Sequence, residues 1–319
     1  MKVLFWSPGL AHRQILDLLD PIDGIEVELV SGIDEFLGSL PDADFAILTD
    51  QPEAEARRIL DAIERTAPRL IGMHFVSAGR EGFDTVGIPG RLRVSGAAGA
   101  SAPTVAEHAV ALILAVGRQL AGSVLNQHAH IWDRAVGAQV RSLEGQTVLI
   151  VGHGAIGQAV GARVQSFGAR VVGLQRRPRP AAGADELGSI ADLDRYLPDA
   201  DVVVLTAALV PETRSLIDAT RIAALKPTAL VVNVSRGGLM DHEALADALR
   251  AGRIWGAGLD VTEPEPLPAD HPLWDAPNTI ISPHYGLGGS PQTIQRIARG
   301  AADAVIAALG SLGEASTSA

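Results

Sequence analysis

Cysteine is absent from the sequence, which excludes a disulfide framework, thiolate metal sites and any cysteine nucleophile. Positive charge is in deficit, with 26 Lys and Arg facing 37 Asp and Glu, a formal net charge of −11. Coating nucleic acid or an anionic membrane needs clustered Lys and Arg, so neither is expected as a partner, and only a local basic site stays open. Long apolar runs are missing too. Val3-Leu4-Phe5-Trp6 gives way at once to Ser7-Pro8-Gly9, too short for a signal-peptide core. The longest apolar helical stretch, Val105 to Leu120, is interrupted by Glu107, His108 and Arg118 and does not read as a bilayer span. A cytoplasmic protein is expected. Aromatics make up only 4% of the chain, while its 34 glycines exceed the ordinary share of about 7% and point to many tight turns.

The 319 residues suffice for two cores. Val3–Trp6, Glu26–Val30, Ala46–Thr49 and Arg69–Met73 read as strands, with helical patterns such as Ala54–Arg65 between them. Strands alternating with helices of 10–15 residues imply parallel sheet built from βαβ units. The Gly/Ala/Ser/Pro stretch Ser95–Pro103 breaks the pattern as a hinge or crossing loop, and Pro103 suits the first turn of the helix that follows. A second series then begins, with apolar runs at Val148–Val151, Arg170–Leu174, Asp201–Leu205, Ala229–Asn233, Ile254–Leu259 and Thr279–Ser282. Six such runs bounded by turn residues indicate a doubly wound sheet. The last helix, Pro291 to Leu309, needs a surface to cover, and the small polar tail Gly310–Ala319 is expected to be disordered.

In the second series a buried strand runs into Gly152-His153-Gly154-Ala155-Ile156-Gly157 and then into a helical pattern. This is G-x-G-x-x-G in its full strand–turn–helix context, where the glycines permit the turn, the approach of a pyrophosphate and close helix packing. Cofactor contacts are therefore expected at Gly152, Gly154, Ala155, Ile156 and Gly157. An acidic residue ending the next strand would bind an adenosine ribose 2′-hydroxyl, but here that place reads Gln175-Arg176-Arg177-Pro178-Arg179. Guanidinium forks suit a 2′-phosphate, so Gln175, Arg176 and Arg177 point to NADP(H) in preference to NAD(H), with a solvated basic turn as the alternative.

Three later segments place ionisable residues at strand ends: Asn233-Val234-Ser235-Arg236-Gly237-Gly238, Gly258-Leu259-Asp260-Val261-Thr262-Glu263-Pro264-Glu265-Pro266-Leu267 and Ser282-Pro283-His284-Tyr285-Gly286. An open α/β sheet builds its active site there. With Val76-Ser77-Ala78-Gly79, Val105-Ala106-Glu107-His108 and His271-Pro272-Leu273-Trp274, these segments make the chain resemble the D-isomer-specific 2-hydroxyacid dehydrogenases over nearly its whole length. The resemblance is nearest to the glyoxylate/hydroxypyruvate reductase and D-3-phosphoglycerate dehydrogenase branches. It implies two Rossmann-like or flavodoxin-like domains with an active-site cleft between them. The substrate domain would be residues 1–98 completed by 286–319, and the dinucleotide domain 99–285. It also implies a homodimer through the dinucleotide domain, with Val105–Trp132 supplying much of the contact.

Carried over residue by residue, the family's catalytic Arg, Glu and His fall on Arg236, Glu265 and His284. Spacing alone does not separate Glu263 from Glu265, and the family pattern, with its Glu five residues after the Asp, selects Glu265. The resemblance implies hydride transfer between the nicotinamide and C2 of a small 2-oxo acid. His284 would exchange the proton with Glu265 stabilising its charged form, and Arg236 would hold the substrate carboxylate. Ser77, Ala78 and Gly79 match the family's anion loop, and Arg80 could meet a second acidic group or stand as an exposed charge. Val234, Ser235 and Asp260 are assigned to the cofactor, Asp260 through the nicotinamide carboxamide.

The chain departs from the family pattern at Ala208-Leu209-Val210, Tyr285 and Leu287, which alters the rim of the site. His108 reads as a packing or interface residue, and no histidine has partners at metal-ligand spacing, so no metal is expected. Two alternatives stay open, a formate- or phosphite-type dehydrogenase on the same fold and a non-catalytic nucleotide-sensing scaffold or corepressor.

Overall fold

The computed structural model describes every residue except Pro8, Leu10, Ala78, Ala98, Gly289, Ser318 and Ala319, and only the backbone of residues 313–317. The chain divides into two compact units, Met1–Ser101 with Gly289–Ala319, and Ala102–Gly288.

The first unit is built on a parallel sheet of β1 (Lys2–Trp6), β2 (Glu26–Leu29), β3 (Phe45–Leu48), β4 (Gly72–Phe75) and β5 (Arg93–Gly96), in the order β2-β1-β3-β4-β5. Successive side chains of a strand point to opposite faces, and the central strands are apolar on both faces except at Lys2 and His74, because helices cover both faces. Val3, Phe5, Phe45 and Ile47 pack with Ile15 and Leu19 of the His12–Leu19 helix and with Ile297, Ala301 and Val305 of the Pro291–Thr317 helix. Leu4, Ala46 and Leu48 pack on the other side with Phe36, Ile59 and Ile63. The last helix therefore completes the first unit. It also runs through Gly310 to Thr317, where a disordered tail was expected. Ser311 ties this extension down, because its Oγ donates to the carbonyls of Ala307 (3.0 Å) and Ala308 (2.9 Å) and accepts from Arg93 Nη1 (2.7 Å).

His74 in β4 is 2% exposed, its Nδ1 lies 2.9 Å from Ser95 Oγ, and burial pulls its pKa down to about 4. A folded-state pKa below the ordinary value near 6.5 means that the unfolded chain takes up the proton first. Stability should therefore fall by about 3 kcal/mol as pH drops from about 6.5 to about 4, and level off below that. Urea unfolding at pH 7 and pH 4.5 checks this. His74→Asn, which keeps a polar group near Ser95 and cannot titrate, is expected to lose less stability over that interval than the wild type.

The second unit holds seven parallel strands, β6 (Thr147–Val151), β7 (Arg170–Gln175), β8 (Glu186–Ser189), β9 (Val202–Leu205), β10 (Leu230–Asn233), β11 (Gly256–Leu259) and β12 (Thr279–Ile281). Their order is β12-β11-β10-β9-β6-β7-β8, so the chain reverses direction across the sheet between β6 and β9. Val148, Ile150, Val204 and Val232 pack under the Ala102–Gly117 and Ala155–Gln165 helices, and Leu149, Val151, Val203 and Val231 pack on the opposite face. The apolar stretch from Val105 to Leu120 is not one helix. It breaks after Gly117, where Gln119 adopts φ 57°, and resumes at an angle of 63° as Leu120–His128. Among the described residues no single helix is long and apolar enough to cross a membrane.

Candidate active site

The strand register builds the site. Val151 pairs with Leu174 and Leu205, Leu205 with Asn233, Asn233 with Leu259, and Leu259 with Ile281. One residue further, Gln175, Gly152, Thr206, Val234, Asp260 and Ser282 stand in a row along the carboxyl edge of the sheet, where open α/β folds take their ligands.

At the reversal point, Gly152 has φ 103°, and a Cβ there would lie 2.3 Å from the backbone nitrogen of Ala207. Gly154 ends the turn without crowding, since a Cβ on it would meet nothing within 4 Å. The Ala155–Gln165 helix starts directly after it with no side-chain cap. Its first N–H groups lack intrahelical acceptors, which is the feature that draws a pyrophosphate. This cradle fits the phosphates of a dinucleotide.

Gln175 is turned inward. Its Nε2 donates to the carbonyl of His153 (3.0 Å) and its Oε1 accepts the backbone N–H of Arg179 (2.8 Å), so the side chain folds the turn that displays Arg176 and Arg177 to solvent. His153 anchors the far end of the same loop, with its ring 1% exposed and Nε2 2.8 Å from the carbonyl of Ala182. Burial pushes its pKa below the ordinary value, which keeps the ring neutral and suited to donate there.

Beyond β10, Asn233 Nδ2 donates to the carbonyl of Arg236 (2.9 Å) and Asn233 Oδ1 accepts from the N–H of Ser235 (3.1 Å). Ser235 Oγ donates to the carbonyl of Ala207, tying this loop to the end of β9. Val234 is buried in the core. Arg236 Nη1 donates to the carbonyl of Ser235 (2.8 Å).

Past β11 and β12 the chain brings an acid and a base together. His284 Nδ1 lies 2.9 Å from Glu265 Oε2, and Glu265 Oε1 accepts the N–H of Thr262 (3.1 Å). Both side chains are partly exposed, 49% for His284 and 39% for Glu265, so the pair is open to a ligand. Glu263 is engaged elsewhere, with both its oxygens on Arg214 Nη1 at 2.9 and 3.1 Å. An imidazole oriented at Nδ1 by a carboxylate presents Nε2 as a proton donor or acceptor.

A profile of the D-isomer-specific 2-hydroxyacid dehydrogenase NAD-binding domain matches residues 110–286, more than half of the chain. The chain belongs to this family. Its second unit carries the dehydrogenase family's NAD-binding domain, and its two parallel-sheet α/β units have the family fold. A glyoxylate reductase of Thermofilum pendens is 34% identical over 287 residues, 86% of this chain and 81% of that protein. A D-3-phosphoglycerate dehydrogenase of Mycobacterium leprae is 36% identical over 271 residues, 83% of this chain, and there the chain spans only 49% of the relative's length. Among solved structures, the TT0316 protein of Thermus thermophilus superposes with a TM-score of 0.78 at 35% identity, covering 98% of this chain and 97% of that one.

The other residues expected at the site make contacts within their own units. Ala78 lies outside the described residues. Ser77 Oγ donates to the carbonyl of Gly79 (2.7 Å) and accepts from the N–H of Asp50 (2.9 Å), bracing the turn that follows β4. Arg80 forms an ion pair with Asp84 (3.0 Å), four residues on along the Glu81–Val86 helix, a spacing readable in the sequence. Asp260 is 3% exposed with both carboxylate oxygens bonded inside the protein. His108 stands beside it, its Nε2 3.1 Å from Asp260 Oδ1. Neither arrangement is legible in sequence, because each joins residues more than 20 positions apart.

Proposed function

We propose that the protein is a nicotinamide-dependent reductase of small 2-oxo acids, of the glyoxylate or hydroxypyruvate kind, giving 2-hydroxy acids, of D configuration where C2 of the product is chiral. The observation that carries this reading is the His284–Glu265 pair, 2.9 Å apart, in the segments that follow β11 and β12 of the same sheet whose β6 leads into the dinucleotide cradle. When bound, the reduced nicotinamide supplies the hydride. His284 delivers the proton from Nε2 to the carbonyl oxygen, and Glu265 at Nδ1 orients the ring and stabilises its charged form. Arg236 pairs with the substrate carboxylate and polarises the carbonyl. Ser77 and Gly79 are the first unit's candidate anion contacts.

Arg176 and Arg177 favour NADP(H), because guanidinium groups bind a 2′-phosphate and no carboxylate ends β7 to repel it. Steady-state absorbance of the reduced nicotinamide, with glyoxylate, hydroxypyruvate, pyruvate, formate and phosphite against both cofactors, tests the whole reading. Turnover of an oxo acid with NADPH preferred over NADH supports it. Turnover only of formate or phosphite, or none at all, overturns it.

We also propose a homodimer through the second unit. Leu120, Val124, Leu125, Ile131 and Trp132 expose apolar side chains, Trp132 at 92%, around the Leu120–His128 helix. Exposed apolar side chains grouped in this way support a protein interface here. Leu125→Asp combined with Trp132→Asp is expected to shift the sedimentation coefficient from dimer to monomer, whereas a wild-type chain already monomeric at micromolar concentration would contradict the assignment.

A further inference from the structure

We infer that His108 is a positioning residue for proton transfer, fixing the loop that carries His284. The inference rests on the proposed oxo-acid reduction for its kinetic readout only. Ser282 Oγ has a single proton and gives it to Asp260 Oδ1 at 2.7 Å. His108 Nε2 lies 2.8 Å from that Oγ and 3.1 Å from the same Oδ1. Both oxygens therefore face the ring as acceptors, and Nε2 must carry a hydrogen shared between them.

Asp260 passes this constraint to the loop. Its Oδ1 accepts the N–H of Tyr285 at 3.2 Å and its Oδ2 that of Gly286 at 3.0 Å. At Gly286 the approach is so close that a Cβ would lie 2.8 Å from Oδ2 and 3.2 Å from His108 Cδ2. The His108 ring also packs on Tyr285, centroids 5.0 Å apart and tilted by 59°. His108 thus touches residues on both sides of His284. Between them His284 sits at φ 51°, a left-handed backbone that a non-glycine residue keeps only when its surroundings impose it, and its N–H is held by the carbonyls of Asp260 (2.8 Å) and Ser282 (3.0 Å). The imidazole of His284 reaches Glu265 from this imposed backbone, so a loop free to relax would lose the alignment of the pair.

The test compares His108→Leu with His108→Gln, whose amide nitrogen can take the place of Nε2. His108→Leu is expected to lower kcat for glyoxylate or hydroxypyruvate ten- to a hundredfold, with KM and the Kd of NADPH changed less than threefold. His108→Gln should restore kcat to within about threefold of the wild type. Amide hydrogen exchange gives a readout that needs no turnover. Tyr285 and Gly286 should exchange at least tenfold faster in His108→Leu, with the strands of the second unit unaffected, and His108→Gln should restore their protection. Wild-type kcat and exchange in His108→Leu would overturn the inference, as would faster exchange spread over the whole unit without recovery in His108→Gln. If the wild type reduces no oxo acid, the reading of function fails and exchange alone decides the role of His108.

Discussion

His284→Gln is expected to lower kcat for oxo-acid reduction by about 10²–10⁴, the range that a positioned general acid contributes. Glutamine keeps a polar amide near the place of the imidazole and cannot deliver a proton. NADPH binding, read by its fluorescence on titration, should change less than threefold, because the dinucleotide cradle is formed at Gly152–Ala155, on another strand. Stability should hardly move, since the side chain is about half exposed. Glu265→Gln should give a smaller loss in kcat, because a neutral amide still orients the ring at Nδ1 but no longer stabilises its charge. A His284→Gln enzyme turning over within threefold of the wild type would remove His284 as the proton donor.

The second large effect separates two glycines of one motif. Gly152→Ala should destabilise the second unit by about 2–5 kcal/mol, combining the penalty for a left-handed L-residue with that of overpacking. Its φ is 103°, and the new Cβ would lie 2.3 Å from the Ala207 nitrogen, a backbone atom at the end of β9 that has no rotamer to give way. Gly154→Ala should cost no more than about 1 kcal/mol, the loss from placing Ala at a helix N-cap, since its backbone is extended and its Cβ would meet nothing within 4 Å. The methyl group would instead project where a pyrophosphate approaches, and NADPH should bind at least tenfold more weakly. Equal stability losses in the two variants would mean that the turn is not shaped as described.

Legibility in the sequence follows burial. The central strands β1, β3, β6, β9 and β10 are covered on both faces, so each contains an unbroken run of at least three apolar residues. The edge strands β5, Arg93-Val94-Ser95-Gly96, and β8, Glu186-Leu187-Gly188-Ser189, need apolar residues on one side at most, and the sequence marks neither. Ser95 and Gly96 read as the start of a hinge, yet they pair with His74 and Phe75. The helix after Gly310 is hidden for a related reason, since its anchor is Arg93, 218 positions earlier in the chain.

In the site, residues carried by strand-end motifs are legible, whereas the orientation of their side chains is not. Gln175 stands where a cofactor contact is expected, but its amide faces His153 and Arg179. Glu263 and Glu265 are two residues apart and chemically alike, and only the fold shows that the first meets Arg214 and the second His284. Arg80 illustrates a signal present in the sequence and easily passed over, because Asp84 lies one helical turn away and pairs with it.

The central claim is that hydride moves from nicotinamide C4 to C2 of an oxo acid while His284 supplies the proton. Reduction of hydroxypyruvate with NADPH deuterated at the transferable C4 position, followed by mass and chiral analysis of the product, tests it most directly. The account predicts D-glycerate carrying one deuterium at C2, formed by the wild type and only at the residual rate by His284→Gln. Product without deuterium, or glycerate of the opposite hand, would contradict it.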